Sequence, residues 1–195
     1  MSDVASAAGT TAPVATAAVV ALVAPPGVDL GTVATLLGAR LGTPVRDTDL
    51  LVAAQAGQPV ADLVVVAGDD ELRRWQEQVV VAALRDGPGV VAVGSGAVEV
   101  AAVRTALAEV VADGGTVVLL DLAADAAARA VLGPAAVPGL GPVRATWRQM
   151  YDRRHALLEQ VATVTVGTTP DTGPDEVAAA TAAALAGSSV RGTEP

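Results

Sequence analysis

Residues 18–41 read AVVALVAPPGVDLGTVATLLGARL, and this stretch decides the fold class. Residues 18–23 form a short apolar run that is typical of a buried strand, and the Ala- and Leu-rich residues 32–41 predict a helix. Gly42 is placed to end that helix, because glycine adopts φ > 0 at little cost. The loop between them has the position of a phosphate-binding loop, which favours an α/β protein.

The rest of the chain repeats this alternation of short apolar runs with longer helical stretches. Further strands are predicted at residues 45–47, 90–93, 117–121 and 163–166. Further helices are predicted at 59–66, 143–160 and 174–185. One more helix is predicted to run to Arg85, with Asp69 or Asp70 as its N-cap. This alternation of strands with crossover helices predicts a three-layer α/β/α domain with a five-stranded parallel sheet over residues 17–186. Residues 1–16 and 187–195 are predicted to be flexible tails, and the uncharged residues 133–142 are predicted to form a loop or lid.

Composition excludes several classes of function. The formal net charge is −9, which disfavours binding to nucleic acid or to an anionic membrane. The chain has no cysteine and a single histidine, so disulfides and zinc sites built on Cys or His clusters are excluded. The N-terminal apolar run is too short to span a bilayer and lacks the basic start of a signal peptide. We therefore expect a cytoplasmic protein, and a monomer.

The loop after the first strand departs from the phosphate-binding pattern GxxxxGK[ST]. Ala24 and Asp29 stand at its two glycine positions, Leu30 at the lysine and Gly31 at the Ser/Thr. The lysine of that pattern neutralises phosphate and the hydroxyl holds Mg²⁺, so this loop lacks both groups. An ordinary strand-to-helix turn is the alternative interpretation. The candidate residues of this degenerate nucleotide site are Gly27, Asp29, Leu30, Gly31 and Thr32.

Five short motifs follow the loop in order. They are PVRDTD at 44–49, GQPVAD at 57–62, ELRR at 71–74, VGSGAV at 93–98 and DRRHALL at 152–158. In their residues, order and spacing these motifs resemble those of the shikimate kinase family, a P-loop kinase family, and the resemblance covers residues 17–186. The chain is thereby identified as a divergent member with a degenerate Walker A loop.

The resemblance implies a substrate site for shikimate or a related hydroxylated cyclic acid. It places a carboxylate clamp on Arg73 and Arg154, and a hydroxyl-binding carboxylate, which is also the catalytic base, on Asp49. Guanidinium groups match a carboxylate in a bidentate manner, and an ionised aspartate accepts hydrogen bonds from hydroxyl groups. Gly94 and Gly96 correspond to a turn that lets the backbone approach the substrate ring.

The nucleotide side retains less of the family pattern. The resemblance places Mg²⁺ near Asp47, but the serine partner of that aspartate is Gly31. Residues 137–142 stand where the family's lid carries an arginine, and the adenine-stacking arginine falls on Ala130. ATP and Mg²⁺ are therefore cofactors only if the protein is an active kinase.

Two functions from different classes follow. The first is a pseudokinase that keeps the acid pocket and acts as a sensor or regulator, with phosphoryl transfer weak or lost. The alternative is an active shikimate kinase that transfers the γ-phosphate of ATP to the 3-hydroxyl of shikimate in aromatic amino acid biosynthesis. A surface-binding protein with no working pocket is a third possibility.

Simpler roles also exist for the individual residues. Arg73 and Arg154 fit solvated positions on exposed helix faces, and Asp49 fits the N-cap of a helix over residues 50–56. His155 is expected to be structural.

Overall fold

The computed structural model describes residues 18–60, 62, 63, 68–133 and 141–190 of the chain. The strands are β1 (Val19–Val23), β2 (Val45–Asp47), β3 (Gly89–Val93), β4 (Thr116–Leu122) and β5 (Val164–Thr168). They form one sheet in the order β2-β3-β1-β4-β5, and every neighbouring pair is parallel. The predicted five-stranded parallel sheet is confirmed, with strand ends that differ by no more than two residues.

Seven α-helices have both ends in the described part of the chain. They are α1 (Leu30–Leu41), α2 (Thr48–Ala56), α3 (Asp69–Arg85), α4 (Ala101–Ala112), α5 (Ala124–Leu132), α6 (Gly141–Val161) and α7 (Pro174–Val190). A 3-10 turn, Ala97–Glu99, lies between β3 and α4. Of the helix predicted over 59–66, Val60, Asp62 and Leu63 are helical, while residues 61 and 64–66 lie outside the described residues.

The sheet is buried between two layers of helices. Ala21 and Val23 of β1 face a core formed with α3, α4 and α6, whereas Val20 and Leu22 face a second core formed with α1 and α7. Because both faces of the central strands β1, β3 and β4 are covered, their sequences are almost continuously apolar rather than alternating. The predicted α/β/α architecture is thus confirmed. None of the described helices is long and apolar enough to cross a membrane.

The helix ends show which residues cap them. Gly42 ends α1 in the left-handed region with φ of +62°, as predicted. The prediction that Asp69 or Asp70 caps α3 is wrong, because the N-cap is Gly68 and no side chain caps this helix. Gly68 has φ of +80°, a conformation suited to glycine, and it shifts both acids into the first turn. There their charges stabilise the helix through its dipole rather than as caps.

The remaining predictions concern the lid and the tails. Residues 134–140 of the predicted lid lie outside the described residues, and its last two residues belong to α6. Helix α7 extends to Val190 and so includes residues 187–190 of the predicted C-terminal tail. Residues 1–17 and 191–195 lie outside the described part, so the N-terminal tail stays a prediction.

The parallel sheet places the candidate site. All five carboxyl ends lie at one edge, and β1 sits between β3 and β4. In open α/β sheets ligands bind outside this edge. The loop at 24–29 and Gly94 follow strands there, and Asp47 is the last residue of β2.

Candidate functional site

A cavity of about 430 Å³ lies between α3, the 3-10 turn and α6. Its wall contains three of the predicted substrate-site residues, namely Arg73, Gly96 and Arg154. Arg73 is on α3 and Arg154 is on α6, so side chains from two distant segments converge on one space. Guanidinium groups that face one cavity in this way are able to bind an anionic group.

The two predicted clamp arginines meet at one carboxylate. Glu99 Oε2 lies 3.0 Å from Arg154 Nε and 3.8 Å from Arg73 NH2. The side chain of Arg73 is 41% exposed and that of Arg154 is 23% exposed. Both arginines line the cavity, so a dissolved ligand can reach them.

Glu99 and Arg153 also line this cavity, and neither was among the predicted substrate-site residues. Arg153 donates to Glu99 Oε1 through Nε at 2.7 Å, and its NH2 lies 2.5 Å from the same oxygen. Glu99 directly follows the VGSGAV motif and is the one carboxylate between Asp86 and Glu109, but nothing in the sequence links it to Arg153 or Arg154.

Gly94 makes room for the carboxylate of Asp49. A Cβ on Gly94 would overlap the carboxylate of Asp49, and the Gly94 amide donates to Thr48 Oγ1 at 3.1 Å. Gly96, two residues later, faces Gln76 Nε2 and Arg154 NH2 at 3.4 and 3.6 Å from the position of its absent Cβ. The turn at residues 94–96 therefore lies beside Asp49 at Gly94 and beside the arginine cavity at Gly96. Asp49 itself is not among the residues that line the cavity.

The surroundings of Asp49 disfavour the charged form of its carboxyl group. Its side chain reaches solvent, yet its carboxylate packs on the Gly94 backbone. This desolvation and the negative charge of Asp47 together raise the pKa of Asp49 above its usual 3.8. A carboxyl group with a raised pKa is better able to take up a proton than an ordinary surface aspartate.

Asp47, and not Asp49, caps α2. Asp47 Oδ1 accepts hydrogen bonds from the amides of Asp49 at 3.0 Å and Leu50 at 3.2 Å. The prediction of Asp49 as the N-cap is therefore wrong. Helix α2 begins directly where β2 ends, so the last strand residue takes the cap and Asp49 falls in the first turn.

The predicted metal position keeps its aspartate but lacks the hydroxyl partner. Asp47 Oδ2 lies over Gly31, which supplies no hydroxyl, and Asp47 Oδ1 accepts the capping hydrogen bonds of α2. In the described ranges no group of three or more His, Cys, Asp or Glu side chains is placed to hold a metal ion. Because Mg²⁺ in phosphotransfer sites is bound by one or two carboxylates together with waters and substrate phosphates, Asp47 would supply one part of such a site.

A carboxylate of the degenerate loop caps the helix that follows the loop. Asp29 is the N-cap of α1, and its Oδ1 accepts from the amide of Thr32 at 3.2 Å. Leu30, at the lysine position, packs against the core between the sheet and α1. The start of α1 thus presents an acid and an apolar side chain where a nucleotide-binding loop presents amides and a cation.

A second cavity of about 240 Å³ lies beside this loop. Gly27, Asp29 and Ala130 line it together with Thr168 and Thr169. Gly27 has φ of +99°, and a Cβ there would stand 3.0 Å from the Cβ of Ala130. Two of the five predicted nucleotide residues, Gly27 and Asp29, therefore share a cavity with the predicted adenine position, whereas Leu30, Gly31 and Thr32 do not line it. No basic side chain lines this cavity in the described part of the chain.

His155 takes part in a structural network. Its Nε2 lies 2.8 Å from Asp121 Oδ1, and its ring stacks on Tyr151, whose ring stacks in turn on Trp147. The hydroxyl of Tyr151 donates to the Leu122 carbonyl at 2.6 Å. These contacts tie α6 to β4, which agrees with the expected structural role.

The comparisons with known proteins decide the family. A family model described as shikimate kinase matches residues 27–186. The chain belongs to the shikimate kinase family. It is 39% identical to the shikimate kinase of Mycobacterium marinum over 149 residues, which covers 75% of this chain and 78% of that protein. It is also 39% identical to the shikimate kinase of Salinispora arenicola over 171 residues, covering 87% and 99%.

Solved structures of shikimate kinases share the fold. The enzyme from Acinetobacter baumannii, solved in complex with shikimate, superposes with a TM-score of 0.73 at 22% identity and covers 88% of this chain and 94% of that chain. The enzyme from Aquifex aeolicus gives a TM-score of 0.68 at 18% identity, covering 88% and 98%. The P-loop kinase architecture of this shikimate kinase family member is thereby shown.

Proposed function

We propose that this member of the shikimate kinase family binds shikimate or a related hydroxylated cyclic acid, and that its phosphoryl transfer is weak or lost. In this proposal it acts as a sensor or regulator. The observation that carries the proposal is the contrast between the two sides of the site. The acid side retains Arg73 and Arg154 on one cavity, whereas Asp29 caps α1 on the nucleotide side.

The acid side is suited to a carboxylate. Arg73, Arg153 and Arg154 all line its cavity. Their three positive charges outnumber the two negative charges of the lining carboxylates, Asp69 and Glu99. Guanidinium groups bind carboxylates through parallel hydrogen bonds, and partial burial makes such contacts stronger than on an open surface. An acid with hydroxyl groups would reach Gly96 and the turn that leads to Asp49.

The nucleotide side is unsuited to phosphate. A cation about 4 Å from a phosphate is worth on the order of 4 kcal/mol at an effective dielectric of 20, so a lost contact of this kind costs roughly a factor of 10³ in rate when it acts in the transition state. Leu30 stands at that cation's position, and Asp29 adds a negative charge beside it. Both changes disfavour ATP.

Calorimetric titration tests the proposal. We expect heat from shikimate alone, with the same affinity in the presence and absence of ATP and Mg²⁺. A strong increase in shikimate affinity with ATP would overturn the loss of nucleotide binding. No heat from shikimate under either condition would overturn the retained acid site.

Active shikimate kinase is a second candidate. The 39% identity to curated shikimate kinases over most of the chain favours it. Asp49, with its raised pKa, is placed to accept the proton of an attacking hydroxyl, and ATP and Mg²⁺ would be required cofactors. Transfer of labelled phosphate from ATP to shikimate, absent in the Asp49→Asn variant, would establish this candidate over the first. A monomeric cytoplasmic protein, with no nucleic acid or membrane as partner, stays our prediction.

A further inference from the structure

Glu99 is a buried carboxylate at the base of the arginine cavity. Its side chain is 8% exposed, and it ends the 3-10 turn Ala97–Glu99. Burying a carboxylate is unfavourable unless charged partners offset the loss of water. Arg153 and Arg154 supply these partners through three contacts of 3.0 Å or less.

The contact geometry leaves the arginines able to bind a ligand. Arg154 donates to Glu99 through Nε, and its NH1 and NH2 groups carry further N–H donors that can serve a ligand. That NH2 lies 3.6 Å from the position of the absent Cβ of Gly96, at the cavity wall. Arg73 stands 3.8 Å from the same Glu99 oxygen, a distance for charge attraction rather than for a hydrogen bond.

Charge explains why such a carboxylate is needed. Arg153 and Arg154 are consecutive residues, and Arg73 faces them from α3. Three guanidinium groups around one cavity repel each other, and long flexible side chains then spread into solvent. Glu99 attracts all three toward one point, and the cavity still keeps an excess of positive charge for an anionic ligand.

We propose that Glu99 is a positioning residue that holds Arg73 and Arg154 in the geometry that receives a ligand carboxylate before the ligand arrives. The inference rests on the proposed acid-binding function and adds the residue that sets the affinity of this site for a carboxylate. Preorganised side chains lose less conformational freedom on binding, so affinity depends on Glu99 although Glu99 itself carries the wrong charge to bind the acid. If Glu99 instead competed with the ligand for the arginines, removal of its charge would increase the affinity for the ligand.

The Glu99→Gln variant separates the two roles. It keeps the shape of the side chain and removes its charge. We expect shikimate affinity to fall roughly tenfold, because two arginines must then be ordered on binding, whereas affinity for the uncharged methyl ester of shikimate stays unchanged. The matched control is Glu109→Gln, which removes an acid that pairs with Arg85 on the surface of α4. This control leaves both affinities unchanged.

Three results would overturn the proposal. Unchanged shikimate affinity in Glu99→Gln would make Glu99 a bystander, and increased affinity would make it a competitor. Equal loss of the acid and the ester would indicate a general structural defect. Circular dichroism verifies the fold of the variant, and Glu99→Asp, which keeps the charge on a shorter side chain, gives a smaller loss in the same direction where Glu99→Gln does not fold.

A ligand-free measurement separates failure of this inference from failure of the proposed function. If the wild-type protein does not bind shikimate, the proposed function fails, and proton exchange at Arg154 Nε, followed by magnetic resonance on isotope-labelled protein, decides the role of Glu99. Slow exchange in the wild type that becomes fast in Glu99→Gln supports positioning. Fast exchange in the wild type overturns it.

Discussion

The carboxylate of Asp47 lies directly over the α-carbon of Gly31. Its Oδ2 is 2.5 Å from the point where a Cβ at position 31 would stand, and its Oδ1 caps α2. One side chain therefore links the start of α1 to the start of α2. Any side chain introduced at position 31 has to move a carboxylate that a helix needs.

The Gly31→Ser variant should lose stability. The added Cβ displaces Asp47 from the α2 cap, and loss of a cap typically lowers the free energy of unfolding by about 1 kcal/mol. Urea denaturation measures the change. Gly167→Ser is the control, because nothing lies within 4 Å of a Cβ built at Gly167. Equal stability of the two serine variants would show that Asp47 adapts without cost.

Restoring the loop should restore nucleotide affinity. The triple change Asp29→Gly, Leu30→Lys and Gly31→Ser removes an anion, adds a cation and adds a hydroxyl at the start of α1. We expect ATP affinity to rise by on the order of tenfold or more, measured by calorimetry with Mg²⁺ present. Asp29→Gly alone is the control and gives a smaller gain. If the triple variant gains nothing, the cavity beside Ala130 has lost nucleotide binding independently of the loop.

Two neighbouring arginines provide a direct test of the acid site. Arg73 lines the cavity, whereas Arg74 is 74% exposed and pairs with Glu71 on the surface of α3. Arg73→Ala should reduce shikimate affinity by roughly 10- to 100-fold, since a hydrogen bond between charged groups is lost. Arg74→Ala should leave it unchanged. Similar affinities for the two variants, measured by titration, would place the acid site elsewhere.

The raised pKa of Asp49 predicts a pH effect on stability. The folded protein binds the Asp49 proton more tightly than the unfolded chain, whose reference pKa is 3.8. The free energy of unfolding therefore falls as pH rises from below 3.8 through the pKa of Asp49 in the folded protein. Asp49→Asn lacks this fall. Urea denaturation from about pH 3 to about pH 7 should show the variant gaining stability relative to the wild type, and a constant difference would contradict the prediction.

The fold was predictable because its signals are local. The three central strands, β1, β3 and β4, are covered on both faces and so read as short apolar runs, and Gly42 ends α1 by its own backbone preference. The caps were less predictable. Asp47 and Asp49 are both good N-cap residues, and only the place where β2 ends decides that Asp47 takes the role.

The candidate site was predictable in part. The motif order indicated Arg73 and Arg154, and the structure brings them to one cavity. Glu99 was missed because it meets Arg153 and Arg154 from more than fifty residues away along the chain. A contact of this kind has no periodicity or spacing in the sequence, since it depends on how α6 packs beside the 3-10 turn.

The Asp29 cap also affects how this loop could change through evolution. Single substitutions toward the phosphate-binding pattern disturb contacts that the loop already makes. Losing Asp29 leaves the Thr32 amide without its acceptor. Gaining a lysine at position 30 removes a partly buried leucine that packs against the core, and it places the new cation beside an acid. A lysine at position 30 is therefore of most use to a phosphate group once Asp29 has been replaced as well.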